Sequence, residues 1–587
     1  DKNMEVVFDL EADSLDPTKI HVVVAKEVGV KGNYIITGPK AFAKFASKVT
    51  KWVAHNGIGY DIPVIEKLWG YKIPLSNVVD TLVLSRLFDP QRKGGHSLKV
   101  WGERLGDFKD DYTGGFEVYT EEMKAYCKQD VKVTELLYNT LIKEGKAFSQ
   151  ASINLEHMVH AIMCEQQANG FELDIDLAQE IYTVCLKETL RIETEIKEFM
   201  VPIAVPVKEV TIKRKKDGSI FANQLLEGCN VQGDYTKIMW EEFNLGSPVQ
   251  INKRLDKLGW KPTVKTKSGE SYKICPENLA TIPDDAPQAV KGLKAWKVLE
   301  TRWKLAQEWL EKSQGDGRVH GTVITTGAVT HRAAHRGPNM ANIPSVPHGK
   351  TGILWKMDGM YAAECRQVFK VPEGKLLVGT DAAGIQLRVL AHYMNDPVYT
   401  EQVIDGDIHT FNMNALGRHC KDRPTAKTFI YAFLLGAGVG KIAEILGCNG
   451  GQANVAMKNF YEALPTLKRL KSEASRAASM GWMKGLDGRI LTIGSDHLAL
   501  SVYLQGGETV IMRLANVFWQ RQAKKEGINF KQCAWVHDEW QTEVDEHQAQ
   551  RLGEIQVQSI IDAGKFFKLN CPMDGEAKIG NNWLETH

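Results

Sequence analysis

Short apolar runs that end on carboxylates constrain this chain most. Met4 to Phe8 is an apolar strand that runs into Asp9 and Glu11, and Lys375 to Thr380 is another that delivers Asp381. Side chains alternate along a strand, so Asp9 and Glu11 share a face. Cys533 to Val536 is a third short strand. It turns at His537-Asp538-Glu539 and returns through Trp540 to Val544. Asp381 and Asp538, each at a strand end, can therefore meet across a sheet. Taken singly, each of these acids is also an ordinary turn or surface residue.

The strands sit in a chain of 587 residues, too long for one core, so several domains are expected. Apolar content of 43% and charged content of 25% are those of a soluble globular protein. No apolar run is long enough to span a membrane, and Asp1 to Leu10 lacks a secretory pattern. The ten cysteines show no metal-type pairing, and buried thiols in a reducing cytoplasm are the default reading. A net charge of +1 does not announce a nucleic-acid partner, yet acidic sites and basic grooves cancel in a total.

The first 150 residues read as α/β. Beside Met4 to Phe8, Ile20 to Ala25 is a β-branched run, and helical patterns cover Pro39 to Thr50 and Glu121 to Lys143. Asn154 to Met200 is a long helical pattern broken at Gly170, and Leu293 to Lys312 is a further helix. Val205 to Phe221 reads as a hairpin turning at Lys216-Asp217-Gly218. Its tip carries Lys213, Arg214, Lys215 and Lys216. These are either a solvated turn or a phosphate-backbone contact. No repeat or low-complexity tract is present.

Asp61 follows the turn His55-Asn56-Gly57-Ile58-Gly59-Tyr60, and Tyr126 and Asp130 share a helix face. Four carboxylates from three elements can bind two hard divalent cations that activate a water and stabilise a leaving oxygen. A lone Asp-x-Glu carries almost no weight. The ordered set, with Tyr four residues before the last Asp, resembles the DEDD exonuclease superfamily in its Tyr subtype. The resemblance implies that Asp9, Glu11, Asp61 and Asp130 hold metal and that Tyr126 orients the attacking water.

Between Asp381 and Asp538, residues Arg423, Lys427, Tyr431 and Leu435 recur every four positions and form one helical stripe. Two cations, an aromatic ring and an apolar residue suit a triphosphate followed by its base. The alternative is an amphipathic helix with its cations in solvent. Phe429, Ile430 and Phe433 already supply a buried face, which leaves the stripe for something else. Gly436 and Gly438 end the helix.

Residues 377–388, LVGTDAAGIQLR, resemble motif A of family A (Pol I-type) DNA polymerases; 423–438, RPTAKTFIYAFLLGAG, resemble motif B; and 536–539, VHDE, resemble motif C. Gly327 to Pro344 and Tyr503 to Gly507 resemble the segments that grip the primer–template duplex. The resemblance covers essentially the whole chain, and the chain is similar to the compact replicative polymerases of podovirus-type bacteriophages. It implies a multidomain α/β architecture: an RNase H-like exonuclease domain, then a right-hand polymerase with helical thumb, antiparallel-sheet palm and helical fingers. The expected spans are 1–150 for the exonuclease, 151–325 for the thumb, 326–402 and 501–587 for the palm, and 403–500 for the fingers.

The same resemblance implies roles. Asp381 and Asp538 bind two Mg²⁺ ions, with Mn²⁺ as a substitute, assisted by the Ala382 carbonyl. Lys427 is the general acid for pyrophosphate. Arg423 and His409 contact the triphosphate, and Tyr431 the incoming sugar; Tyr rather than Phe goes with acceptance of dideoxynucleotides. His537 and Glu539 flank the primer end and the second metal, and Arg332 and Gln505 read minor-groove acceptors. Partners are primer–template DNA and dNTPs, with a phage helicase–primase and a single-stranded DNA-binding protein as replisome candidates. A monomer in the cytoplasm of an infected bacterium is expected.

Four positions depart from the family pattern. Gln386 stands for the usual Glu that blocks a ribose 2′-OH, and Leu435 for the Tyr that bonds it. Weaker sugar discrimination is the expectation. Ser501 stands where a minor-groove Asn is common, and His331 replaces a common Gly. Some phage relatives carry a long thumb insertion that recruits host thioredoxin. Met200 to Phe243 reads as only a short basic hairpin, so no thioredoxin clamp is expected, and Lys213 to Lys216 would grip duplex phosphate instead. Two other readings compete: a single-subunit RNA polymerase, against which the exonuclease set argues, and an exonuclease with an inert polymerase body, against which Asp381, Lys427 and Asp538 argue.

Overall fold

Residues 3–107 and 111–587 are described by the computed structural model. They form two compact units. The first holds Asp1–Glu172, Arg318–Asn342 and Phe369–His587, and the second Leu173–Gly317 with Ile343–Val368.

Within the first unit, a five-stranded sheet puts Met4–Ala12 at its centre, antiparallel to Ile20–Glu27 and parallel to Val49–Ala54. Tyr34–Ile36 and Val78–Asp80 form its edges. Alternation along Met4–Ala12 divides two cores. Val6, Phe8, Leu10 and Ala12 pack with Phe42, Trp52 and Ile65. Val7 packs the other way, against Cys127 and Val131 of helix Glu121–Glu144. Asp9 and Glu11 continue the Val7 face and so arrive under that helix. The helix expected over Pro39–Thr50 ends at Ala46, and Val49–Ala54 is a strand instead. β-Branched and aromatic residues (Val49, Thr50, Trp52, Val53) favour the extended form there.

A second sheet in this unit has the order Phe530–Val536, Glu539–Asp545, Lys375–Ala382, Gly575–Gly580, antiparallel throughout. Helix Ala549–Phe566 covers it so closely that Gly553 lies against Val378 and Ala577. Helices Arg423–Leu434 and Gly450–Ala463 share an aromatic core of Phe429, Phe433 and Phe460.

Helix Gln150–Asn169 serves both sheets. Its Ile153 and Ala161 pack on the exonuclease-side clusters, and Leu155, Val159, Ile162 and Met163 pack in the core of the second sheet. Burial keeps His157 neutral, so its Nε2 accepts from the Asp80 backbone N–H at 2.9 Å. The neighbouring Glu156 turns the other way, to Arg489 at 2.7 Å and to Arg513. This helix, grouped by sequence with the 151–325 span, thus lies in the first unit because both its faces find apolar partners there. Residues 343–368, grouped by sequence with the palm, lie in the second.

In the second unit, helices Ile175–Phe199 and Gln288–Lys312 pack on one another, and Ile203–Val210 pairs with Tyr235–Glu241. The hairpin expected over Val205–Phe221 therefore has a different principal partner strand. Only the bridge Arg214 to Ile220 and the turn closed by Lys215 and Ser219 remain of it. The ribbon is also longer and more apolar than a basic hairpin, with Val207, Met239 and Trp240 exposed. Among the described residues, no helix is long and apolar enough to cross a membrane.

Candidate active sites

The first carboxylate cluster gathers as its spacing demands. Asp9 and Glu11 come from the central strand, Asp61 from the start of helix Asp61–Trp69, and Tyr126 and Asp130 from helix Glu121–Glu144. The Leu10 backbone N–H, between the first two acids, donates to Asp61 Oδ1 at 3.2 Å and ties the helix to the strand. Behind it, buried Asp80 accepts from the N–H groups of Asn56 at 2.8 Å and Ile58 at 3.2 Å, fixing the turn that precedes Asp61. Burial first, then the charges of Asp130, Asp61 and Glu11, hold the Asp9 carboxyl well above the usual carboxylate range. Burial does the same to Asp61 against the pull of the Leu10 N–H.

Cys127 was not singled out by sequence. Its Sγ lies 3.7 Å from Asp9 Oδ2, and ligand atoms of Asp9, Glu11 and Cys127 fall within 4.8 Å of one another. Burial and the surrounding carboxylates raise its thiol well above the usual range, so it stays protonated. Its place one residue after Tyr126 on the covering helix was the available signal.

At the second sheet, Asp381 stands opposite Glu539 on one neighbouring strand and Glu576 on the other. The Ala382 N–H donates to the Asp538 carbonyl at 3.1 Å, which fixes the two strand ends together. His537 makes the turn at φ 55°, in the left-handed region. Burial, then Asp538, Glu539 and Glu576, push Asp381 up to about 6, with Lys578 opposing. Asp538 is raised mainly by burial. Glu539 is lowered: burial would raise it, but His587 Nδ1 at 2.7 Å and Trp583 Nε1 at 2.8 Å outweigh that. Each Glu539 oxygen is thus already engaged, and direct ligation of a metal would give up one of these bonds.

Helix Arg423–Leu434 presents its stripe as its spacing predicts. Ala426, Phe429, Ile430, Phe433 and Leu434 are buried, while Arg423, Lys427 and Leu435 are exposed and Tyr431 half-buried. Arg423 Nε donates to Asp407 at 2.9 Å and 3.0 Å, and Asp407 also caps the helix that carries His409. His409 lies 6.1 Å from the Tyr431 ring, centroid to centroid. Burial and the Arg423 and Lys427 charges lower its pKa, so it is neutral at pH 7. A cavity of about 470 Å³ brings together Arg332, Gln386, Tyr431, Leu435, His537 and Asp538.

Gln505 donates to Ser501 Oγ at 3.0 Å, one helical turn back. His331 sits at φ 65°, a conformation that Gly adopts without strain. Its neutral ring is held by Arg489 Nη1 at 3.2 Å. In the second unit, Arg214 spends its guanidinium on the carbonyls of Gly218 and Gln232, both at 2.9 Å. Lys215 lies 5.8 Å from the Phe221 ring, and Lys213 and Lys216 are exposed. Glu508, also unsuspected from sequence, lines the cavity beside Arg332.

Comparisons with known proteins assign the two carboxylate sites to different matched stretches of the chain. A profile described as DNA polymerase family A matches residues 224–585, and one described as 3′–5′ exonuclease matches residues 1–146. The DNA-directed DNA polymerase of Escherichia phage T7 is 29% identical over 718 aligned residues, covering 99% of this chain and 100% of that one. The enzyme of Enterobacteria phage T3 is similar to the same extent, at 29%. Helicobacter pylori DNA polymerase I is 25% identical, over 90% of this chain and 55% of its own. A solved POL domain of Pol1 from M. smegmatis, complexed with DNA primer-template and dNTP, has a TM-score of 0.76 at 17% identity, covering 100% of this chain and 96% of that one.

Proposed function

The chain belongs to DNA polymerase family A, with a 3′–5′ exonuclease region ahead of the polymerase region, and on that premise we propose which residues carry each reaction. It is a DNA-directed DNA polymerase with a 3′–5′ exonuclease. Its substrates in this reading are primer–template DNA and dNTPs.

Both donor sets fit hard divalent cations. The charges acting on Asp9 come from other carboxylates, and all-oxygen anionic sets suit Mg²⁺. Asp9, Glu11, Asp61 and Asp130 would hold Mg²⁺ for excision, and Asp381, Asp538 and the Ala382 carbonyl for synthesis, with Glu539 supporting them. Paired cations, when bound, stabilise the attacking and leaving oxygens of an in-line displacement. Tyr126 orients the water that attacks the terminal phosphodiester. Arg423, released from Asp407, and neutral His409 bind the triphosphate, and Lys427 hands a proton to the departing pyrophosphate. Tyr431 packs on the incoming sugar, and Gln386 excludes a 2′-OH by bulk.

The observation that carries this reading is convergence on one cavity: Asp538 from a strand turn, Gln386 from the segment after Asp381, and Tyr431 from the cationic helix. Primer extension with Mg²⁺ and dNTPs tests it. Extension with NTPs alone, or pyrophosphate release without extension, would overturn it. The setting is phage replication in the host cytoplasm, as a monomer beside a helicase–primase and a single-stranded DNA-binding protein. No thioredoxin clamp is required. Lys213, Lys215 and Lys216 contribute duplex-phosphate contacts, with Arg214 shaping their loop.

A further inference from the structure

Arg332 is held from two sides by a single helix, Ala499–Lys525. Its backbone closes a tight loop, in which the Gly327 and Ala328 N–H groups donate to the Arg332 carbonyl at 3.0 Å and 3.1 Å. Arg513 of the helix donates to the carbonyls of Thr325, just before that loop, and His331, within it. Arg513 is itself buried against Glu156, which also meets Arg489. The backbone that presents Arg332 is therefore anchored in a closed charge network.

The side chain is anchored separately. Glu508, on the same helix, accepts from Arg332 Nη2 at 3.2 Å. Side-chain exposure is 11% for Glu508 and 28% for Arg332, so the pair is largely withdrawn from solvent at the cavity wall, beside His537 and Asp538. A guanidinium carries five N–H donors in a planar fork. One bond to a fixed carboxylate sets the plane of that fork and leaves further donors for a ligand.

We propose that Glu508 is a positioning residue for DNA synthesis, which orients the Arg332 guanidinium toward the minor-groove edge of the primer-terminal base pair. This rests on the duplex-contact reading of Arg332. Every correct pair presents an acceptor at equivalent minor-groove positions, so an Arg fixed in one plane rewards a correctly paired terminus and misses a displaced one. Misplacement by about 1 Å can cost on the order of 10² in rate. Glu508 thereby contributes to selective extension of matched ends without touching DNA.

The test is single-turnover extension of matched and mismatched primers ending in a phosphorothioate linkage, which resists excision, with melting temperature recorded for each variant. Glu508→Ala should lower matched-end extension about tenfold and shrink the matched-to-mismatched ratio, within the loss that misplacement allows. Glu508→Gln, which keeps an acceptor oxygen, should stay within about threefold. Arg332→Ala should cost more, and adding Glu508→Ala to it should change the rate by less than about twofold, because the pair acts as a unit. A normal Glu508→Ala beside an impaired Arg332→Ala overturns the inference, as does an undiminished Glu508→Ala effect in the Arg332→Ala background. An unimpaired Arg332→Ala overturns the duplex-contact reading itself.

Discussion

The two carboxylate sites answer the same electrostatic problem differently. Around Asp9, the charges that act are all negative, and the site is roofed by helix Glu121–Glu144. Around Asp381 and Asp538 there are acids too, but Lys578, Arg332 and His587 oppose them. Asp9 is accordingly held well above the carboxylate range, whereas Asp381 reaches about 6. Under the proposed assignment, the excision site would thus depend on added cations for its charge balance more than the synthesis site, which has internal ones.

The largest expected effect separates the sites. Asp381→Ala should cut extension by at least about 10³-fold, the equivalent of about 4 kcal/mol of transition-state charge stabilisation. It should leave excision of a single-stranded 3′ end within about twofold, and Asp9→Ala should do the reverse. Loss of both activities from either change, in rapid-quench assays, would mean the sites are not independent. Lys427→Ala should lower extension by about 10²–10⁴-fold, the range for a general acid, with excision unchanged in the same preparation.

Next comes sugar selection. Restoring the usual pair with Gln386→Glu and Leu435→Tyr should raise the dNTP-over-NTP preference about tenfold, roughly one charge-assisted hydrogen bond. Unchanged preference would assign discrimination to packing alone.

The smallest effect sharpens the electrostatic contrast directly. A carboxyl raised in the folded state binds its proton more tightly there than in the unfolded chain. The stability it contributes is therefore present at low pH and lost as pH rises. For Asp381 the window runs from its ordinary 3.8 to about 6. In metal-free protein at pH 7, Asp9→Asn should raise the melting temperature, and Asp381→Asn should raise it by less. Both gains should shrink toward pH 4. A larger gain at Asp381 would invert the comparison.

Much of both sites was legible because period-two and period-four spacings put the acids and the cationic stripe on single faces. The edge strands Tyr34–Ile36 and Val78–Asp80 were not, since each is three residues long and stabilised by its neighbours in the sheet. Glu508 escaped because its partner lies 176 positions away. The hint was a carboxylate inside the largely apolar stretch Gly506 to Met512. Glu156 was likewise not singled out, because its partners, Arg489 and Arg513, come from distant segments. The ribbon partner Tyr235–Glu241 was hidden because local turn chemistry at Asp217-Gly218 offered a nearer closure.

Anyone wishing to make an excision-free enzyme would be drawn to cut the chain near residue 150, where one sequence profile has just ended. Helix Gln150–Asn169 argues against the scissors. Removing what precedes it would strip Asp80 from His157 and Asn56 from His160 and wet the flank around Ala161, on the same rod whose Glu156 secures Arg489 and Arg513. Under the proposed assignment, one substituted carboxylate silences excision, while truncation would loosen the scaffold proposed to aim the primer.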